Sequence, residues 1–107
     1  AVLPWIPVIL LSAALNALGE EVEYRAAPLA TLLPVVGPAQ SIMLTSLWFG
    51  LGHYYGGIPS GVFALVYVSL LALLLGKAMV DTRGLGWSWI IHITIDTVIY
   101  IFIAATM

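Results

Sequence analysis

Four ionisable residues lie in or beside long uncharged runs of this chain: Glu20, His53, His92 and Asp96. Ionisable side chains are costly in such a setting, so each is a functional-site candidate. As one set they could activate a water molecule, with Glu20 as general base and His53 assisting it. His92 and Asp96 would then stabilise a developing oxyanion. Two histidines and a carboxylate could instead bind a metal such as zinc.

Glu20 belongs to an acidic cluster that also contains Glu21, Glu23 and Arg25. Glu21 and Arg25 are four residues apart, so they share a helix face on which an ion pair is favourable. Glu20 points about 100° away from Glu21 on a helix and can face a different neighbour. We expect Glu23 to be an ordinary charge that meets water or lipid headgroups.

Other hydrolytic chemistries are disfavoured by the motifs that the sequence lacks. There is no cysteine for a nucleophile or a thiolate metal site, and the zinc-protease pattern His-Glu-x-x-His does not occur. No serine has a Gly-x-Ser-x-Gly context, and Ser60 lies in a Pro-Ser-Gly turn. The net charge of −2, with no basic patch, argues against nucleic acid as a partner.

The composition predicts an all-α, polytopic transmembrane bundle that is solvated by membrane lipids. Of the 107 residues, 63% are hydrophobic and 7% are charged, whereas soluble domains carry about 25% charged residues. A span needs about 20 apolar residues. We therefore predict a single domain, 1–107, with four spans that form its core: 3–25, 38–55, 60–79 and 86–106.

The connections between these spans are predicted to be short. Tyr55 to Pro59 reads as a Gly/Pro turn, and Lys77 to Gly86 as a polar loop. Residues 26–37 are apolar but too short to span, and two prolines and a glycine interrupt them, so we expect a re-entrant or interfacial segment. Lys77 and Arg83 place the last loop, and the opening of the site, on the cytoplasmic side by the positive-inside rule.

The depth of the candidate residues sets a geometric condition. If the first two spans were plain antiparallel neighbours, Glu20 and His53 would be on the order of 20 Å apart in depth. The site can then assemble only if residues 26–37 recross part of the bilayer or if the second span starts deep and tilts. We expect a water-filled cavity about 9 Å below the last loop, at the depth of His92.

Three motifs together resemble the CAAX-protease and bacteriocin-processing family of intramembrane proteases, also called the ABI family. They are Glu20-Glu21-x-x-x-Arg25, Phe49-x-x-x-His53 and His92-x-x-x-Asp96, in the family's order and covering about 77 residues. The resemblance implies that this chain is a hydrolase that cleaves a peptide or protein substrate within the membrane. Because the family has about eight spans, this chain is expected to be the catalytic core of a longer protein.

The resemblance also implies residue roles. Glu20 activates water with His53 as its partner, Glu21 and Arg25 support the site, and His92 with Asp96 binds the oxyanion. Prenyl-CAAX members of the family carry Asn at the position of Asp96, so Asp96 argues against a prenylated substrate. The substrate could be a lipid-modified protein or, alternatively, a leader peptide. The family has been described both as glutamate proteases and as metalloproteases. We expect the glutamate type without a cofactor, with zinc on Glu20, His53 and His92 as the alternative.

Two other functions remain open from the sequence. The chain could be a non-catalytic immunity or scaffold protein of the same fold. It could also carry protons or metal ions along the polar set, although transporters usually contain repeated halves, and the sequence contains no repeat. Substitution of Glu20 would abolish cleavage by a peptidase but leave an immunity or scaffold function unchanged. Substitution of His92 would abolish ion flux through a carrier.

Overall fold

The computed structural model describes residues 1–57 and 60–107, and within these ranges the regular elements are all helical. A short 3₁₀ turn, Leu3–Trp5, precedes α1, Ile6–Glu21. A π-helical turn, Val22–Ala26, leads into α2, Ala27–Tyr55. The chain ends with α3, Gly61–Thr82, and α4, Gly86–Thr106. The predicted all-α class is confirmed, and α3 and α4 begin within a residue of the predicted spans.

Three stretches of the described residues are long and apolar enough to cross a membrane: Leu3–Tyr55, Gly61–Thr82 and Gly86–Thr106. Large apolar side chains such as Leu11, Phe63 and Phe102 are exposed on their outer faces, as expected when lipid rather than water is the solvent. The protein is therefore an integral membrane protein. The first two predicted spans are joined in one helical stretch, so residues 1–57 and 60–107 contain three such stretches where four separate spans were predicted.

The long stretch Leu3–Tyr55 folds back on itself at Gly37. As a straight helix it would be about 80 Å long, but the longest dimension of the molecule is 49 Å. Gly37 has φ 82° and ψ 173°, a backbone region that is essentially restricted to glycine. Pro38 follows and starts the returning helix, because it needs no N–H partner in a first turn.

The hairpin at Gly37 brings Glu20 and His53 to the same depth. Arg25 lies over the ring of Phe49, with its guanidinium carbon 5.0 Å from the ring centroid, and each residue is about 12 positions from Gly37. Residues 27–36 are helical and prolong α1 beyond the site, and residues 38–55 return to it. The segment that was predicted to be re-entrant or interfacial is helical up to Gly37, although two prolines lie in it.

A π-helical turn lies within the acidic motif itself. The N–H of Ala27 donates to the carbonyl of Val22, five residues earlier. Pro28 comes next and has no N–H to donate to the carbonyl of Tyr24, four residues earlier. The proline thus accounts for the local widening of the helix, and π-helical turns of this kind are frequent at functional sites.

Two antiparallel helix pairs build the bundle. The returning arm of α2 packs against α3 so closely that a Cβ on Gly50 would overlap Ser69 Oγ. The apolar core between them contains Phe49, Ala64, Val68 and Ala72, with Tyr24 packed against it. On the other side α1 packs against α4, where the Trp89 indole N–H donates to the carbonyl of Ala14 over 2.9 Å.

The last connection is shorter than the sequence suggested. Lys77 and Asp81 were assigned to a polar loop, but they form an exposed ion pair of 2.7 Å on the last turns of α3. Their four-residue spacing supports the helix, which ends at Arg83 in the left-handed conformation, φ 55°. Of the predicted turn from Tyr55 to Pro59, Ile58 and Pro59 lie outside the described residues.

Candidate active site

Glu21 and Arg25 form a buried ion pair at the centre of the bundle. Arg25 Nε donates to Glu21 Oε2 over 2.7 Å, and Arg25 Nη2 donates to Glu21 Oε1 over 2.9 Å. Both residues are 0% exposed. A planar, two-point contact of this kind is the geometry that a guanidinium and a carboxylate prefer. The ion pair expected from the four-residue spacing is therefore present.

His92 of α4 is bound directly to Glu21. Its Nδ1 lies 2.7 Å from Glu21 Oε1, and because Glu21 also pairs with Arg25, the ring nitrogen is the donor. His92 Nε2 faces Asp96 Oδ1 at 3.4 Å. The imidazole is thus fixed on one side by α1 and flanked on the other by its own helix. The sequence predicted the His92–Asp96 proximity but not the bond to Glu21.

Arg25 ties this cluster to the other helix pair. Its Nη1 donates to the backbone carbonyl of Ala72 in α3 over 3.4 Å. Its guanidinium also lies over the ring of Phe49, where a cation is attracted by the face of the aromatic ring. Arg25 therefore contacts α1, α2 and α3 directly and is connected to α4 through Glu21 and His92.

Glu20 points away from this cluster, as expected for neighbouring positions on a helix. It is half-buried, and its Oε1 accepts a 2.7 Å hydrogen bond from Asn16 Nδ2. The same amide nitrogen donates to Asp96 Oδ2 over 2.9 Å. Asn16 was not among the predicted site residues. Its position, a polar amide in an uncharged run one helical turn before Glu20, could have indicated a contact with Glu20.

His53 lies at the end of the returning arm, with its ring nitrogen Nδ1 3.0 Å from the carbonyl oxygen of Phe49. A carbonyl only accepts hydrogen bonds, so Nδ1 carries the proton. In the neutral ring, Nε2 then keeps a free lone pair. The Phe49 ring packs edge-on against both His53 and His92, with centroid distances of 4.7 Å and 6.0 Å. Phe49 thus packs against both imidazoles.

The four candidate residues line one cavity of about 300 Å³ between the helices. Glu20, His53, His92 and Asp96 all line it, together with Asn16 and Phe49. The rest of its wall is mainly apolar or aromatic and consists of Gly57 and residues of α3 and α4: Tyr67, Val68, Leu71, Leu75, Ile95, Ile99 and Tyr100. Glu21 and Arg25 are not part of the lining. The structure therefore brings together in one cavity the four residues that were predicted to be catalytic.

Three donors of this cavity are close enough to share one cation. One ligand atom each from Glu20, His92 and Asp96 lie within 4.8 Å of one another. His53 does not belong to this group, although the sequence named it as a zinc ligand with Glu20 and His92. An imidazole and two carboxylates suit zinc by their chemistry, so the fitting set contains Asp96 in place of His53.

The fold and the site define a class: a helical integral membrane protein that encloses acid–base side chains in a cavity between its spans. The chain matches the sequence model of the family described as type II CAAX prenyl endopeptidase Rce1-like over residues 2–98, and it belongs to that family. The suspected CAAX-protease resemblance is thereby confirmed, and the family points to a protease. No curated protein and no solved structure matches the chain.

Proposed function

We propose that this protein is an intramembrane endopeptidase in which water activated by Glu20 attacks a peptide carbonyl. The observation that carries the proposal is the contrast between two adjacent glutamates. Glu21 is fully buried, and both its oxygens are held by Arg25 and His92. Glu20 lines the cavity, and within residues 1–57 and 60–107 only one of its two oxygens, Oε1, has a hydrogen-bond partner. Glu20 is therefore the carboxylate that is free to accept a proton.

In this proposal His53 assists Glu20 in binding and polarising the water. Its Nδ1–H is fixed by the Phe49 carbonyl, so the lone pair on Nε2 can accept a hydrogen bond from water in the cavity. A positioned base of this kind typically contributes about 10²- to 10⁴-fold to a rate. The water loses its proton to Glu20 as its oxygen bonds to the carbonyl carbon, and the glutamic acid later returns the proton to the leaving amine.

His92 is proposed to donate to the oxyanion that forms on the former carbonyl oxygen, and Asp96 to orient the His92 ring for this role. Because Nδ1 of His92 already donates to Glu21, only Nε2 can face the oxyanion, and it must carry a hydrogen to donate. The reacting form of His92 is therefore the imidazolium, whose Nε2–H rests toward Asp96 before substrate binds. Fixing this donor in advance lowers the reorganisation needed in the transition state.

The mechanism that we propose needs no metal. Asn16 places N–H groups on Glu20 Oε1 and Asp96 Oδ2, and an amide NH₂ is a donor that cannot ligate a cation. If zinc does bind, Glu20, His92 and Asp96 are the residues that would hold it, and it would polarise the attacked carbonyl. The metal-free mechanism predicts cleavage that a chelator does not reduce, whereas the zinc mechanism predicts cleavage that a chelator abolishes.

The substrate is proposed to be a peptide or protein segment that enters from the lipid phase. The cavity wall is largely apolar, which suits a substrate that carries a lipid or an apolar leader sequence. By family, a CAAX-type substrate is the first candidate, with a leader peptide as the alternative. The cavity is proposed to open to the cytoplasmic side, because Lys77 and Arg83 flank the α3–α4 connection and His92 lies about 9 Å beyond Gly86.

A cleavage assay on the purified protein in liposomes tests this proposal. Prenylated CAAX-type peptides and leader-type peptides are presented with and without chelator, and the products are identified by mass spectrometry. We expect cleavage that the chelator does not reduce. Activity that is lost with chelator and restored by zinc would contradict the metal-free mechanism. Absence of all cleavage would contradict the peptidase, and ion flux that His92→Ala abolishes would then identify a carrier.

A further inference from the structure

Asn16 is the only asparagine in the chain and lies in the uncharged run before the acidic motif. Its amide nitrogen makes two hydrogen bonds, to Glu20 Oε1 over 2.7 Å and to Asp96 Oδ2 over 2.9 Å. The first partner is one turn away on α1, which helix geometry alone can produce. The second is 80 residues away in the sequence, on α4. The contact is therefore a bridge between two helices.

The chemistry of the bridge suits the residues that it joins. Glu20 and Asp96 are carboxylates with atoms within 4.8 Å of each other, and two like charges at such a distance repel strongly outside bulk water. An amide NH₂ carries two hydrogens, so it can give one to each carboxylate. An apolar residue at this position would leave the two carboxylates facing each other without a donor.

We propose that Asn16 is a positioning residue that clamps the Glu20 and Asp96 carboxylates so that each keeps one oxygen turned to the reaction centre. Glu20 Oε1 and Asp96 Oδ2 are held by the amide, which leaves Glu20 Oε2 for water and Asp96 Oδ1 beside His92 Nε2. Asn16 acts through these two groups and forms no bond to substrate. The effect of Asn16 on catalysis rests on the proposed function, whereas its two hydrogen bonds to the carboxylates do not depend on that function.

Kinetics of two nearly isosteric variants test the positioning role. In Asn16→Leu we expect kcat to fall by about 10- to 100-fold, with KM changed by less than about twofold, because leucine keeps the branched shape of the side chain that lines the cavity. In Asn16→Asp we expect an equal or larger loss at neutral pH. Lowering the pH should restore part of that loss, because a protonated carboxyl again offers one donor. Asn16→Leu should show no such recovery relative to the wild type.

The matched control is Gln40→Leu, the same loss of a side-chain amide at the chain's only glutamine, which is exposed on α2. It should retain the wild-type kcat. A wild-type kcat in Asn16→Leu, or a change confined to KM, would overturn the inference whatever else is observed. The same pH profile for Asn16→Leu and Asn16→Asp would overturn it as well.

A double-mutant cycle tests the clamp without any assay of activity. The thermal midpoint of unfolding in detergent is measured for Asn16→Leu, for Asp96→Asn and for the two together. We expect Asn16→Leu to lower the midpoint less in the Asp96→Asn background, since the repulsion that the amide offsets is then gone. Additive shifts would overturn the clamp. If the wild type cleaves no peptide, the proposed function fails and this cycle alone decides on Asn16.

Discussion

Glu21 and His92, 71 residues apart in the sequence, share a buried hydrogen bond of 2.7 Å between Oε1 and Nδ1. Because Glu21 also pairs with Arg25, the bond connects a charge pair on the first helical stretch to the imidazole on the last. Each member is costly to bury alone. The position of His92 therefore depends on a residue that does not line the cavity.

Removing the charge of Glu21 should destabilise the whole fold. Glu21→Gln leaves Arg25 buried without its carboxylate, so we expect the free energy of unfolding to fall by about 3–5 kcal/mol, measured by reversible unfolding in detergent. Glu23→Gln is the matched control, because Glu23 is exposed two residues away and should change the stability by less than about 0.5 kcal/mol. Equal stabilities of the two variants would contradict the role of the ion pair.

Substitution of Gly37 should destabilise the fold only because of the backbone conformation at this residue. A Cβ there would meet no atom within 4 Å, but φ is 82°, so Gly37→Ala should lower the free energy of unfolding by about 1–3 kcal/mol. Gly19→Ala is the control, since Gly19 lies inside α1 with equally open surroundings. There alanine should stabilise by about 0.5–1 kcal/mol. Shifts of the same sign in both variants, measured in detergent, would argue against the hairpin.

His53 should matter for turnover and little for folding. It is partly exposed to the cavity, and among the described residues its one hydrogen bond goes to its own helix. We expect His53→Ala to lower kcat by about 10²- to 10⁴-fold while the unfolding midpoint stays near that of the wild type. Tyr54→Phe, a change on the exposed neighbouring residue, should leave both unchanged. Full activity of His53→Ala would remove His53 from the mechanism.

The sequence predicted the elements and the members of the site better than their connections. The uncharged runs located α3 and α4, and the four-residue spacings placed Glu21 beside Arg25 and His92 beside Asp96. Both signals are local, because helix period and charge placement are fixed by neighbouring residues. The four candidate cavity residues were also found, since ionisable groups stand out in apolar runs.

The features that the sequence did not reveal depend on tertiary contacts. Gly37 was predicted to interrupt the apolar segment and Pro38 to start the second span, but only the folded chain shows that the turn brings Phe49 back to Arg25. The π-helical turn follows from Pro28, whose effect on the preceding turn depends on how the helix continues. The bonds from His92 to Glu21 and from Asn16 to Asp96 join two different helices, and spacing along one chain segment cannot identify such partners.

The most direct test of the account is cleavage by Glu20→Gln compared with Glu23→Gln. Both changes remove one charge from the same motif, but Glu20 lines the cavity and Glu23 is exposed elsewhere. We expect kcat for a cleaved peptide to fall at least about 10²-fold in Glu20→Gln, with the fold retained, and to be unchanged in Glu23→Gln. Wild-type turnover by a folded Glu20→Gln protein would contradict the assignment of Glu20 as the base.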